Sequence, residues 1–524
     1  MVSRVTLDLA PRVRANLRTR TDPSEVASYT HRLRGLLDDE PIRAHTGTLD
    51  RYQRLTGSAL SATPGDILDS LDRTDLNLKY YENGKVTIPA AVNPASKYNN
   101  KMWTRDTALI ALMLDELGHT DLAVEIAESL AMTYAREEER ERLINFVLND
   151  PDPAYKFQTD VESIPHIMFS IPPGEIHGYN KWGHNQLDAF GMLTLLFFKF
   201  AREGKLDLRK LEEKLIEINP KNAIESPFPL FEQLKNRIGY WRVRDVGPWE
   251  DEPGGPEEGR LSSVSLCLAG SNEAFDCLDQ MHIPNLDLFK QRLAQNREYG
   301  EHTLHQRLPE NGSYVRETDR HESDAALIFV LLFGPKLNKE QKDIILKKIY
   351  EQRMTDFGIT RRHRDNYMGS NFIHNPYGQG KFSDVDSYDH KLAEWVPFDA
   401  WLAVYHSKEY CANPTINEEN LSLAIMHYER FMKMVPVKDF NYMNRFKEAN
   451  HDNGQREVFI PKGTIGEAYF WDGGERKLNE NSPLQMGVVA AAWMDQELGK
   501  ALQIKIEQDK SPVIIKGRKF QIAY

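Results

Sequence analysis

The sequence predicts an all-α fold, a mostly helical scaffold whose chemistry sits in the connections between helices. Three observations carry that reading. From about residue 100 onward, apolar residues recur at helical spacing in one segment after another. Strands do not alternate with those segments, which argues against a doubly wound or TIM-type fold. Between the helices lie long stretches rich in Gly, Pro, Trp and Tyr, and these hold nearly all the residues of unusual chemical type.

The elements follow in chain order. Residues 1–75 are polar with short helical patterns such as 28–37, and read as an N-terminal extension. Tyr81-Glu-Asn-Gly-Lys85 has the composition of a hairpin turn. Residues 107–117 are apolar on one broad face and end at Gly118, a good residue just past a helix end. Thr120 or Asp121 stands where it can cap the next helix, 122–135, and the tight link makes an αα-hairpin. Similar stretches recur at 186–202, 324–333, 339–350, 400–406, 421–433 and 484–498. The tail carries Val513-Ile-Ile515 and Phe520-Gln-Ile522, enough for a small strand pair.

Composition bounds the function. A chain of 524 residues exceeds the usual single core, so it is either one large repetitive domain or two to three smaller ones. A net charge of −12 argues against nucleic acid, whose phosphates need a basic face. Three cysteines, Cys267, Cys277 and Cys411, do not make a disulfide framework, and no Cys-x-x-Cys or His-Glu-x-x-His spacing suggests zinc. Met1 to Arg20 has no apolar signal region, and no apolar run reaches the length of a bilayer span. A cytoplasmic protein without metal, cofactor or membrane partner is the expectation.

Glycosidic bonds are cut by paired carboxyl groups, one giving a proton to the leaving oxygen and the other activating water or attacking. Apolar and aromatic neighbours raise the acid's pKa. Indole and phenol faces bind the C–H patches of sugars, and Arg and Asp fix the hydroxyls. Carboxylates beside aromatics in loops are therefore the feature to find. Four stretches fit: Met102-Trp103-Thr-Arg105-Asp106, Asn180-Lys-Trp182-Gly-His-Asn-Gln-Leu-Asp188, Asp245-Val-Gly-Pro-Trp249-Glu250-Asp251-Glu252 and Gly463-Thr-Ile-Gly-Glu467-Ala-Tyr469. Thr360-Arg361-Arg-His-Arg-Asp365 adds cations. Taken singly, each has a plainer reading. Asp106 serves as a helix cap, the tryptophans as core, and Glu250–Glu252 as a solvated acidic run.

Taken together and in order, these stretches resemble glycoside hydrolase family 15, the glucoamylase family. Trp103-Thr-Arg105-Asp106 matches its Trp-Thr-Arg-Asp, and Trp182-Gly-His-Asn-Gln-Leu-Asp188 is similar to its Trp-Gly-Arg-Pro-Gln-x-Asp. Trp249-Glu250 matches the Trp-Glu of the general acid. Arg361 and Asp365 keep an Arg-x-x-x-Asp spacing, and Glu467 stands about where the general base lies. Asp251 replaces a frequent second Glu, His184 replaces an Arg, and Tyr98 is the nearest tyrosine to a water-orienting position. Several stretches also resemble the family-15-like domain of phosphorylase kinase regulatory subunits, among them Glu394-Trp395-x-Pro397.

The resemblance implies an (α/α)6 barrel over residues 76–505, after the 1–75 extension and before a 506–524 tail. It implies an inverting, exo-acting hydrolase releasing β-glucose from α-glucoside oligosaccharides or disaccharides. Glu250 would be the acid and Glu467 the base, roughly 6.5–9.5 Å apart. Trp103, Arg105, Asp106, Trp182, Asp188, Trp249, Asp251, Arg361, Asp365 and Trp395 would line the sugar. The kinase-subunit likeness implies an alternative, a glucan-binding or regulatory protein on the same barrel. Trehalase or isomaltose-type specificity also stays open.

Overall fold

The structure, a computed structural model, describes residues 4–7, 76–80, 86–91, 96, 98, 100–160, 163–171, 177–178, 184–223, 226–248, 260–280, 283, 285–318, 323–361, 393–436, 438–443, 457–460, 464–472, 475–479, 482, 484–508, 514–515 and 518–519. It is mostly helical. Among the described residues the α-helices are α1 Thr104–Glu116, α2 Thr120–Ala135, α3 Glu137–Ile144, α4 Pro153–Thr159, α5 Leu187–Arg202, α6 Leu208–Ile218, α7 Pro227–Ile238, α8 Leu261–Asp276, α9 Leu286–Arg307, α10 Leu327–Phe333, α11 Lys339–Gln352, α12 Val396–Ala412, α13 Glu418–Met434 and α14 Gln485–Gln508.

Six of these close a ring. Helix α1 packs on α5, α5 on α8, α8 on α10, α10 on α12, α12 on α14, and α14 back on α1. Outside the ring, α2 packs on α1, α9 on α8 and α13 on α12. Burial separates the two layers. In α1 every residue from Thr104 to Asp115 is buried, and in α5 every residue from Leu187 to Phe198. In α9 only Phe289, Leu293, Gly300, Leu304 and Arg307 are buried, a single stripe. A ring helix touches neighbours on all sides, so it carries no polar face. Where α5 meets α8, a Cβ on Gly191 would stand 2.6 Å from the backbone nitrogen of Cys267, so the close crossing requires glycine.

Outer helices announce their starts in sequence. Asn338 caps α11 with a full capping box to Gln341, and Asp207 caps α6 through the Lys210 amide. Gly118 ends α1 with φ +84° as the sequence implies. The cap of α2 differs from expectation: its N-cap is His119, and Thr120 is already helical, its hydroxyl donating to Asp115 Oδ1 at 2.8 Å. Helices α3, α4, α6, α7, α8 and α9 were not expected. The serine-rich Leu261–Asp276 hides its helix because its small polar residues are buried between helices, where packing overrides propensity.

Short sheets join the helices. β1 Arg4–Leu7, β2 Leu76–Tyr80 and β3 Val86–Thr87 form one, with β2 and β3 making the hairpin expected at 81–85. β4 Lys101–Trp103, β5 Met168–Ser170 and β6 His177–Gly178 form a second. β7 Glu394–Trp395 joins β10 Ala468–Asp472 and β11 Glu475–Leu478, while β8 Phe440–Met443 pairs with β9 Glu457–Ile460. The tail pair is β12 Ile514–Ile515 with β13 Arg518–Lys519, so its second strand lies before the expected Phe520–Ile522. Among the described residues, no helix is long and apolar enough to cross a membrane.

Candidate active site

The amino ends of the ring helices are tied to one another. Trp103, Gln186, Arg260, Ala326 and Trp395 hold the N-cap positions of α1, α5, α8, α10 and α12, and none makes a side-chain cap. Neighbouring segments supply the acceptors that these ends need. Leu187 N donates to Asp245 Oδ2 at 3.3 Å, Ser262 N to Glu317 Oε2 at 3.0 Å, and Ala326 N to Asp324 Oδ1 at 2.8 Å. Backbone bonds continue the rim. Gln485 N donates to Ala90 O, Leu484 N to Ile465 O, Val396 N to Glu467 O, Trp395 N to Ile359 O, and Ala325 N to Arg361 O. Residues hundreds of positions apart thus share one mouth, where the positive ends of helices face carboxyl groups.

One side of that mouth is an ion cluster around Arg105. β4 delivers Trp103, buried, with the Tyr98 ring edge-on at 4.7 Å. Arg105, in the first turn of α1, donates from Nε to Asp106 Oδ1 at 2.9 Å. Its Nη1 reaches Gln186 Oε1 and Asp188 Oδ2, each at 3.4 Å, and the Pro248 carbonyl at 2.5 Å. Asp106 accepts from Arg105 and does not cap α1, which begins two residues earlier. Burial pushes the Asp188 carboxyl up to about 7, and nearby Asp245 adds to the rise, while Arg105 opposes it. Burial also raises Asp245, against the pull of Arg260. Glu317 is raised to about 7 by burial, with Asp324 beside it. The Asp188–Arg105 contact is long, and the arginine is met more closely by Asp106, so burial governs Asp188.

The other side is built on Glu467. Gly466 lets the chain pass close to its neighbours, since a Cβ there would stand 2.5 Å from both Leu478 and the Ser482 hydroxyl. Glu467 is 6% exposed, and its Oε2 accepts from Asn479 Nδ2 at 2.6 Å. Asn479 is itself pinned, its amide donating to Ala468 O at 3.0 Å. The next residue, Ala468, pairs across the sheet with Trp395. The Arg361 guanidinium lies 4.3 Å above the Trp395 ring, which stacks on Phe398 at 6.1 Å. The sheet therefore brings Glu467, Trp395 and Arg361 into one neighbourhood.

Residues 79–428 match the family described as glycosyl hydrolases family 15. The chain belongs to that family. Similar proteins include a probable phosphorylase b kinase regulatory subunit alpha of Drosophila melanogaster, 24% identical over 347 residues, which cover 60% of this chain and 25% of that one. The skeletal muscle isoform of the same subunit from Rattus norvegicus is 23% identical over 294 residues, 52% of this chain and 22% of its own. This chain thus spans at most a quarter of the length of those relatives. Among solved structures, a glycosidase in complex with glucose superposes with a TM-score of 0.51 at 14% identity, over 86% of this chain and 98% of that one. A wild-type glycosidase gives 0.50 over the same shares. At that identity the likeness shows the fold, the glucoamylase-type ring.

The matched family is one of glycosyl hydrolases, and the ring fold agrees with that membership. Within this family-15 chain, Trp182, Trp249, Glu250, Asp251 and Asp365 lie outside the described residues. The stem leading to Trp249-Glu250 is described and firmly held. Val246 N donates to Asn185 O, Asp245 accepts from Ser263 Oγ at 2.6 Å, and Arg105 grips Pro248. His184, in place of the family's Arg, is fully buried, with its Nδ1 accepting from Ile167 N at 3.3 Å and its ring edge-on to His166. Sequence reasoning did not single out Asn479, Glu317 or Asp324 as rim residues. Glu317 and Asn479 are unmarked locally, because each meets a group elsewhere in the chain, whereas Asp324 accepts from Ala326 N two residues on and had a local signal, an Asp opening the 324–333 stretch.

Proposed function

We infer that the chain is an inverting, exo-acting α-glucoside hydrolase that releases β-glucose from non-reducing ends. Glu467 is the general base and Glu250 the general acid. The observation that carries this reading is Glu467 itself, a carboxylate at the mouth, oriented by Asn479 and set beside the Arg361–Trp395 wall. A general base must be held within hydrogen-bond reach of the proton it removes. The bond from Asn479 to Oε2 holds the Glu467 carboxylate. Glu250 comes two positions after the anchored Asp245–Pro248 stem, next to Trp249 in the sequence, and an apolar neighbour is what a general acid needs. Trp103, Arg105, Asp106, Trp182, Asp188, Asp251, Arg361, Asp365 and Trp395 serve the terminal glucose, either by contact or by shaping its walls.

Inversion needs a water between the second carboxylate and the anomeric carbon, hence a separation of roughly 6.5–9.5 Å between the two carboxyl groups. Incubation with maltose, isomaltose and trehalose, followed by proton NMR of the first glucose released, tests the reading and chooses the linkage. Initial β-glucose is the expected product. The leaving glucose of trehalose emerges as the α-anomer in any case, so initial product that is all α overturns inversion, and turnover unchanged in Glu250→Gln overturns the acid.

A second reading is favoured by the regulatory-subunit relatives, a glucan-binding or regulatory protein on the same ring. It predicts glucose or oligosaccharide binding with no turnover of any of the three substrates. A common fold does not decide between them.

A further inference from the structure

Behind the Arg361–Trp395 wall lies a buried ion pair that reaches from the outer layer through to the mouth. Arg430 on α13 and Asp399 in the first turn of α12 are both buried, with Arg430 Nε donating to Asp399 Oδ1 at 2.9 Å. His427, one turn before Arg430, meets the same oxygen through Nδ1 at 2.6 Å. Burial would raise the Asp399 carboxyl, but Arg430 and His427 outweigh it and hold the group below its ordinary range.

The remaining donors of Arg430 go to backbone. Nη1 donates to Thr355 O at 2.9 Å and Nη2 to Gly358 O at 2.7 Å. Those carbonyls belong to the turn that leads into Arg361. Thr355 N donates to Gly358 O at 2.9 Å, Thr360 N to Arg353 O at 3.0 Å, and Met354 bridges Ile359. The turn is also fastened to β7, since the Thr355 hydroxyl donates to Glu394 Oε1 at 2.6 Å and Ile359 bridges Trp395. One guanidinium thus fixes two carbonyls of the segment that places Arg361 over Trp395.

A buried ion pair is a poor way to add stability, because desolvation offsets most of the attraction. It is a good way to fix geometry, since guanidinium donors point in set directions. We propose that the Asp399–Arg430 pair is a positioning device for the site, holding the Arg353–Arg361 turn so that Arg361 meets the terminal sugar. The proposal rests on the reading of Arg361 as a glucose contact. Asp399, His427 and Arg430 are positioning residues that need touch no substrate.

The test uses the full chain and the variants Arg430→Lys, Asp399→Asn, Arg361→Ala and Arg430→Lys/Arg361→Ala. Two quantities are read: amide hydrogen exchange across 353–361 and the dissociation constant for glucose. Arg430→Lys keeps the charge and loses the fork. It should speed exchange in that segment about tenfold, leave Thr104–Glu116 unchanged, and weaken glucose binding by about ten- to a hundredfold. Asp399→Asn keeps the shape and should act in the same direction, so a misfolded lysine variant does not end the test. The double variant should bind glucose no more weakly than Arg361→Ala alone. Unchanged exchange at 353–361, or additive losses in the double variant, overturns the proposal. Should the unaltered chain neither hydrolyse α-glucosides nor bind glucose, the proposed function fails, and the exchange result still decides whether the pair holds the turn.

Discussion

Arg105 and Arg361 lie at the amino ends of ring helices and are almost equally buried, yet their surroundings differ in kind. Arg105 is enclosed by acceptors: Asp106, Asp188, Gln186 and the Pro248 carbonyl. The Arg361 guanidinium lies 4.3 Å over the Trp395 ring. A guanidinium among carboxylates is a structural tie, costly to remove because the carboxylates stay behind in low dielectric. A cation–π contact is worth less, about 0.5–2 kcal/mol. Under the proposed function, the same residue type braces the ring on one side and meets the sugar on the other. The carboxyl groups divide in parallel. Asp188 is pushed toward neutrality by burial, while Glu467 accepts from the Asn479 side-chain amide.

Glu467→Gln should have the largest effect, a fall in kcat of about 10²–10⁴ with glucose binding retained. Steady-state kinetics with the best α-glucoside measures it. Near-normal turnover would remove Glu467 from the chemistry and leave the second side of the mouth as a mere binding wall.

Next is the contrast between the arginines. Arg105→Ala should destabilise the chain by about 3–5 kcal/mol, because buried Asp106 loses its cation and the Pro248 carbonyl its donor. Arg361→Ala should cost about 0.5–2 kcal/mol and weaken sugar binding more than it weakens the fold. Denaturant titrations beside glucose titrations separate the two, and equal stability losses would break the comparison.

The Asp188 carboxyl rises from 3.8 to about 7 on folding, so the folded chain keeps a proton that the unfolded chain releases. Its stability contribution is complete below 3.8 and is lost as the pH climbs to about 7. Asp188→Asn should flatten that fall by up to roughly 1.4 kcal/mol per pH unit. Glu317 and Asp495, both raised to about 7, act with the same sign and leave a residual slope. A variant whose denaturation midpoint tracks pH as steeply as the parent would show that Asp188 is ionised throughout.

A further test of the Glu467 side is Gly466→Ala. The new Cβ meets Leu478 and Ser482 at 2.5 Å, and relief costs about 1–3 kcal/mol. Because the shift moves Glu467, kcat should fall more than stability does. A stable variant with unchanged kcat would mean that Glu467 needs no exact placement.

Legibility did not follow the layers. Outer helices α2, α11 and α13 were readable because one face is polar and the other apolar, and ring helices α1, α5, α10, α12 and α14 were readable as apolar stretches. Ring helix α8 was hidden because its buried serines read as loop, and the outer helices α3, α4, α6, α7 and α9 were missed as well. At the mouth, Trp103, Arg105, Asp106, Arg361, Trp395 and Glu467 stood out as charged and aromatic residues in loops. Asn479 did not, because an asparagine in a short connection is ordinary until a carboxylate is found against it.

The sequence by itself determined the helical class, the family and the residue types that gather between helices, because periodicity and short motifs are local properties. Only the tertiary structure decided which acceptors each arginine meets, which carboxyl groups are buried far enough to hold a proton, and which helix ends share a rim. Those depend on distances between segments hundreds of residues apart, and no local pattern encodes them.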